Sequence, residues 1–223
     1  MNLAFLFGIY MRSGTTTRVG WLQQDGQWDF LEDDRPALES LFEMTHRLLL
    51  EKEAHVSEIR SFLFCDGPGS VLGLRLASMA IQTWQALSDI PIPVFQYRAL
   101  SLAALGLIEK NKTHSSHSRF TIWTDWKKKA ARIVTGDAPF RIDTLESQQL
   151  EDVPKPLFYL TQRKSWQTDA RFMDAPAPYP FHDFPRFLLH PEFLKKFDLP
   201  TLPETELNTF VIWSGERHRA GSK

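Results

Sequence analysis

The chain has 223 residues, 43% of them hydrophobic and 24% charged, with 26 basic and 27 acidic side chains and a formal net charge of −1. That is enough apolar material for one domain or two small lobes. The near-neutral balance excludes a surface that attracts nucleic acid along the whole chain, and a single cysteine, Cys65, excludes an internal disulfide and suits a reducing compartment.

In chain order, the apolar run 3–10 is too short to span a bilayer. No basic stretch precedes it and no small-residue cleavage site follows, so it reads as a buried strand rather than a signal peptide. The cytoplasm is the expected location, with no membrane contact. Residues 18–23 form a second strand that runs into a turn at Asp25-Gly26, and the polar stretch 11–16 is read as the loop between the two. Asp33, Asp34, Arg35 and Pro36 open a helix, with acids at its positive end and proline near its first turn. Leu38, Leu41, Phe42, Thr45, Leu48 and Leu49 line one face at helical spacing. Met44 and Leu50 fall off that stripe, either as single exposed residues or as part of a second apolar patch.

The stretch 62–87 is the most informative. A buried strand (Phe62, Leu63, Phe64, Cys65) meets a glycine turn (Asp66-Gly67-Pro68-Gly69), and a long helix starts at Ser70, a good N-cap. Between Leu76 and Ser88 there is no charged residue. Leu72, Leu76, Met79, Thr83 and Leu87 form one stripe, and Leu74, Ala77, Ile81 and Trp84 another. A helix apolar most of the way round is either enclosed by its own domain or covered by a partner. The turn lacks the lysine of a P-loop. As a dinucleotide fingerprint it is interrupted by Pro68, and the next strand ends without an acid. It therefore reads as a tight strand-to-helix connection.

Residues 90–95 are the next strand, with Pro91 and Pro93 pointing to an edge or a strand start. Residues 99–108 form a small apolar helix. The order strand, strand, helix, strand, helix, strand suggests an α/β lobe of ribonuclease-H type. The polar stretch 110–118 marks the lobe boundary. His114 and His117 lie in it with no nearby Cys, Asp or Glu, so they read as solvated loop residues and no metal is expected. Strands are expected at 119–125 and 130–135. Between them, Lys127, Lys128 and Lys129 follow Trp126 and read as a solvated turn, with a weak RNA contact as the alternative. A further strand is expected at 156–162. Prolines 176, 178, 180, 185, 191, 200 and 203 then alternate with aromatic residues, which suggests two short helices near 184–189 and 191–197. A last strand is expected at 209–213, before a polar tail carrying Arg217, Arg219 and Lys223. No internal sequence repeat is visible.

Gly67, Pro68, Gly69, Ser70, Gly73 and Arg75, within GPGSVLGLRLASMAIQTWQAL, resemble the GPGSFTGxRxGxxxAxGLA signature of the TsaB (YeaZ) family. These are bacterial partner subunits in making threonylcarbamoyladenosine on tRNA. The resemblance implies two ribonuclease-H-like lobes of the actin-like ATPase, sugar kinase and Hsp70 superfamily. The expected division is 1–110, carrying the dimerisation helices, and a smaller, divergent 111–223. It also implies a non-catalytic scaffold that holds a TsaD-like catalytic subunit, with a TsaE-like ATPase completing the complex, a homodimer, and tRNA touched only indirectly. The expected partner interface is Leu72, Leu76, Met79, Ile81, Thr83 and Trp84 with Leu41, Met44 and Leu48.

The departures from the family pattern bear on chemistry. The first hairpin of such folds carries an aspartate for metal and phosphate, whereas the equivalent here is Met11 and no acid occurs before Asp25. Without a carboxylate nothing there holds Mg²⁺, so ATP binding by this chain is not expected. The family's ID-A-R-x-x-E-x-Y run keeps Asp125 and loses the Glu and Tyr, and His114-Ser-Ser-His117 does not match the HxxxH of the catalytic partner. Ser70 has no His or Lys base at motif spacing and Cys65 lies in an apolar strand, so no catalytic residue is assigned. The alternatives are an enzyme of the kinase or M22-peptidase-like branch of this fold, or a paralogue that has left the pathway.

Overall fold

β1 (Gly8–Ser13) and β2 (Thr17–Leu22) make a tight antiparallel hairpin in which Ser13 sits opposite Thr17 and Gly8 opposite Leu22. Residues 11–13, expected in a loop, are therefore in the ladder. The computed structural model describes residues 8–13, 16–67, 71–112, 119–127, 130–160 and 175–197. The expected features at 1–7, 113–118, 128–129, 161–162 and 209–223 lie outside them.

β3 (Trp28–Asp33) continues the meander antiparallel to β2. The chain then crosses through α1 (Ala37–Glu51) to β4 (Phe62–Cys65), which lies parallel to β1. α2 (Val71–Ala86) makes the second crossing, to β5 (Val94–Tyr97), parallel to β4. A parallel pair needs such a long connection, and a helix supplies it with its backbone groups paired. The strand expected over 90–95 begins only at Val94, because Pro91 and Pro93 have no N–H for a ladder.

A second sheet repeats this path. β6 (Thr121–Lys127), β7 (Ala130–Thr135) and β8 (Ala138–Glu146) form an antiparallel meander. β9 (Leu157–Tyr159) then pairs parallel with β6, and β10 (Ala175–Pro176) parallel with β9. The order β10-β9-β6-β7-β8 matches β5-β4-β1-β2-β3 strand for strand. Two ribonuclease-H-like sheets are thus present without any visible sequence repeat. The copies differ in their connections: where α1 links β3 to β4, only a 3-10 turn at Ser147–Asp152 links β8 to β9.

β4 shows how the first sheet is buried on both faces. Phe62 and Phe64 point to one side and pack with Leu41, Leu48, Ile81 and Trp84 of α1 and α2. Leu63 and Cys65 point to the other, where they join α3 (Ala99–Lys112). Strand alternation makes this division. α3 also packs on β6, β7 and β8, and its Leu100, Ala103, Ala104 and Leu107 are buried. It is the shared core helix between the sheets.

The proline-rich segment after β10 closes this core. Phe181, Phe184, Phe187 and Phe193 are buried in it, and Trp28 Nε1 donates to the Phe181 carbonyl at 3.0 Å. α4 (Phe184–Phe187) falls within the first expected short helix. The second is absent. Residues 191–193 are a turn and β11 (Lys195–Phe197) follows, pairing antiparallel with β5. The otherwise open edge of β5 offers unpaired N–H and C=O groups, and the returning chain satisfies them.

Candidate functional site

The glycine motif begins where β4 ends. The Asp66 N–H donates to the Tyr97 carbonyl at 2.9 Å, and the Gly67 carbonyl accepts from the Ala99 N–H at 3.0 Å. Gly67 has φ of 114°, a conformation that favours glycine. The start of the loop is thereby tied to β5 and to the first residue of α3. Gly73 is buried and Arg75 exposed on α2. Pro68, Gly69 and Ser70 lie outside the described residues.

α2 divides its two apolar stripes between core and solvent. Leu72 is 63% exposed and Met79 58%, with Thr83 and Leu87 also outward, while Ile81 and Trp84 are buried. Leu76 is half-buried at the margin. On α1, Leu41, Met44 and Leu48 are buried too. Five of the nine residues expected at a partner surface (Ile81, Trp84, Leu41, Met44 and Leu48) therefore belong to the chain's own core. They fill the space between the helices and the first sheet, where Trp84 stacks on Phe62 with centroids 5.7 Å apart.

The outward ridge of α1 runs instead through Leu38, Phe42 and Leu50, spaced at multiples of four residues. Phe42 leans edge-on to Trp84 at 5.7 Å, which joins the two helices at the surface. Among the described residues, the exposed large apolar side chains are these three, Leu72 and Met79 on α2, Leu87 and Ile90 just beyond it, and Leu189 elsewhere. Among the described residues their concentration on one helical pair is distinctive, since scattered single residues are the ordinary case.

A second feature lies at the junction of the sheets. Asp66 is buried, with Arg98 Nε 3.5 Å from its Oδ2. Burial pushes its carboxyl up to about 6, against the opposing pull of Arg98, Arg132 and Lys195. Arg132, on β7, is held below the usual arginine range by burial and by the like charge of Arg98. Asp66, Arg98, Ser101, Glu192 and Lys195 line a cavity of about 10 Å³, and the buried Ser101 hydroxyl has no hydrogen-bond partner. From the sequence, Asp66 reads only as a turn residue. The available signal was a lone carboxylate closing an otherwise apolar strand.

Among the described residues no group of three or more His, Cys, Asp or Glu side chains is placed to hold a metal ion, and no helix is long and apolar enough to cross a membrane.

No family model matches the sequence, and no curated protein matches it. Solved structures do match. YeaZ from Pseudomonas aeruginosa superposes with a TM-score of 0.54 at 18% identity, covering 69% of this chain and 75% of that one. An uncharacterized protein described as similar to peptidase YeaZ from Pseudomonas aeruginosa gives a TM-score of 0.54 at 17% identity, covering 81% and 90%. With its twice-repeated ribonuclease-H-like strand order, this chain shares the fold of these YeaZ structures.

Proposed function

We propose that this chain is a non-catalytic scaffold and activator subunit that holds a TsaD-like catalytic partner during threonylcarbamoyladenosine formation on tRNA. The observation that carries this reading is the apolar ridge of α1 and α2 on a YeaZ-like fold. Leu72 and Met79 face outward from a helix that carries no charge between Leu76 and Ser88. Covering such a surface removes apolar area from water at roughly 25 cal/mol per Å². The same ridge serves a homodimer when the partner is absent. In this reading a TsaE-like ATPase supplies nucleotide chemistry, tRNA is met through the catalytic subunit, and the work is cytoplasmic. On this reading the chain itself does not bind ATP, since its first hairpin, β1 and β2, carries no carboxylate to hold a metal.

The test is co-purification with the TsaD of the same organism, using the natural chain and Met79→Glu. Retention by the natural chain and loss in the variant is the expected result. No retention of TsaD by the natural chain overturns the reading, and equal retention by both removes α2 as its surface.

A further inference from the structure

Four segments far apart in sequence meet where β4 ends. Asp66 comes from the first sheet and Arg98 from the link between β5 and α3. Arg132 comes from β7 of the second sheet, and Lys195 opens β11. Glu192, in the turn before β11, is the other acid lining the cavity. Of the nearby hydroxyls, that of Tyr97 is engaged with Tyr179 Oη at 2.8 Å and that of Ser101 has no partner. The Cys65 thiol points at the Gly67 carbonyl, 3.9 Å away. The Asp66–Arg98 pair is long at 3.5 Å, where a charge-assisted N–H···O bond is about 2.7–2.9 Å. Arg132 and Lys195 act on the carboxylate through space. When ionised, Asp66 is thus a buried carboxylate whose nearest cation stands beyond the charge-assisted distance, an arrangement in which desolvation can outweigh the attraction of Arg98, Arg132 and Lys195.

We propose that Asp66 is a proton-operated brace across the junction of the two sheets: protonated, it sits stably in the closed junction, and its ionisation draws water between β5, α3 and β7 and loosens them. Its carboxyl, raised to about 6 by burial, supports this. A closed junction keeps the proton up to about pH 6, whereas an opened, hydrated one releases it near the ordinary 3.8. The closed form therefore has its full advantage below about pH 4, and loses it as the pH rises through 6. Asp66 immediately precedes Gly67, so the brace sits one residue from the loop that leads into α2 and its exposed ridge.

Hydrogen–deuterium exchange on the full chain, corrected for the intrinsic pH dependence of exchange, is the direct measurement. Between pH 5 and pH 7 the two carboxyl affinities predict about a tenfold rise in opening, read in peptides covering 94–101, 130–135 and 192–197. Asp66→Asn is expected to remove that rise. Arg98→Gln is expected to move its midpoint above 6, because the nearest cation no longer favours ionisation. Equal protection of the natural chain at both pH values overturns the brace, as does an unchanged rise in Asp66→Asn. Should the Asn variant fail to fold, carbon NMR of the Asp66 carboxyl in the natural chain decides. A midpoint near 6 that coincides with the loss of amide protection supports the brace, and a midpoint near 4, or one unrelated to protection, overturns it.

Discussion

Met79 and Ile81, two positions apart on α2, face opposite ways: Met79 is 58% exposed and Ile81 0%. Glutamate at each should therefore separate folding from association. Met79→Glu puts a charge in water and is expected to leave the circular dichroism spectrum and melting temperature nearly unchanged, while weakening self-association in sedimentation. Ile81→Glu places an unpaired carboxylate against Phe62 and Leu41, at a cost of several kcal/mol, roughly 3–5. It is expected to unfold the chain or lower its melting temperature by about 6–20 °C. A stable, helical Ile81→Glu would contradict the orientation of α2 described above.

Gly20 and Trp28 explain how the first meander packs on the closing segment. A Cβ added at Gly20 would fall inside the indole ring of Trp28. The ring has no room to yield, because its Nε1 is tied to the Phe181 carbonyl and its faces meet Phe184 and Phe30. Gly20→Ala is expected to cost about 1–3 kcal/mol, in the range of core overpacking, and to perturb tryptophan fluorescence. An unchanged melting curve would mean that the indole has a second position available.

Nucleotide binding is tested separately from scaffolding. Calorimetry with ATP and Mg²⁺ is expected to give no heat of binding at micromolar concentrations, since no carboxylate precedes Asp25 to hold the metal. Micromolar affinity with turnover would favour an enzyme of the same fold over the scaffold.

What sequence could reveal here followed from local periodicity. The strand at Phe62–Cys65 and the helix after it were legible because an unbroken apolar run meets a glycine turn and then a charge-free helix. Which stripe of α2 faces water was not legible, since both are apolar and only packing separates them. On α1 the expected stripe included Leu38 and Phe42, which are exposed, and left out Met44, which is buried. A small rotational error of this kind, with Leu41, Thr45, Leu48 and Leu49 common to both faces, arises when apolar residues exceed what one face can bury. β3 and β8 escaped notice because edge strands with charged residues, such as Asp29 and Glu32 or Arg141 and Asp143, carry no clean alternation. β11 depends on a partner about 100 positions earlier, Lys195 lying opposite Gln96. The brace at Asp66 depends on residues 98, 132 and 195, so the lone carboxylate after an apolar strand is its one local sign.

Asp66 also makes a prediction for global stability that runs against the usual effect of losing an ion pair. Its folded carboxyl is raised to about 6 from an ordinary value of 3.8. Between those two values the folded chain binds more protons than the unfolded one, so its stability falls as the pH rises through that interval. Below about pH 4 both states are protonated and the contribution is fully present, and above about pH 7 both are ionised and it is lost. A difference of two units corresponds to about 3 kcal/mol. Asparagine keeps the shape and cannot ionise. Asp66→Asn is therefore expected to be more stable than the natural chain by up to about 3 kcal/mol at pH 7.5, with the gain shrinking toward zero near pH 4. Urea unfolding of both chains at pH 4, 5.5 and 7.5 measures it. If the variant is instead less stable at pH 7.5, then Arg98, Arg132 and Lys195 stabilise the carboxylate by more than its burial costs, and the charge at Asp66 holds the sheets together rather than loosening them.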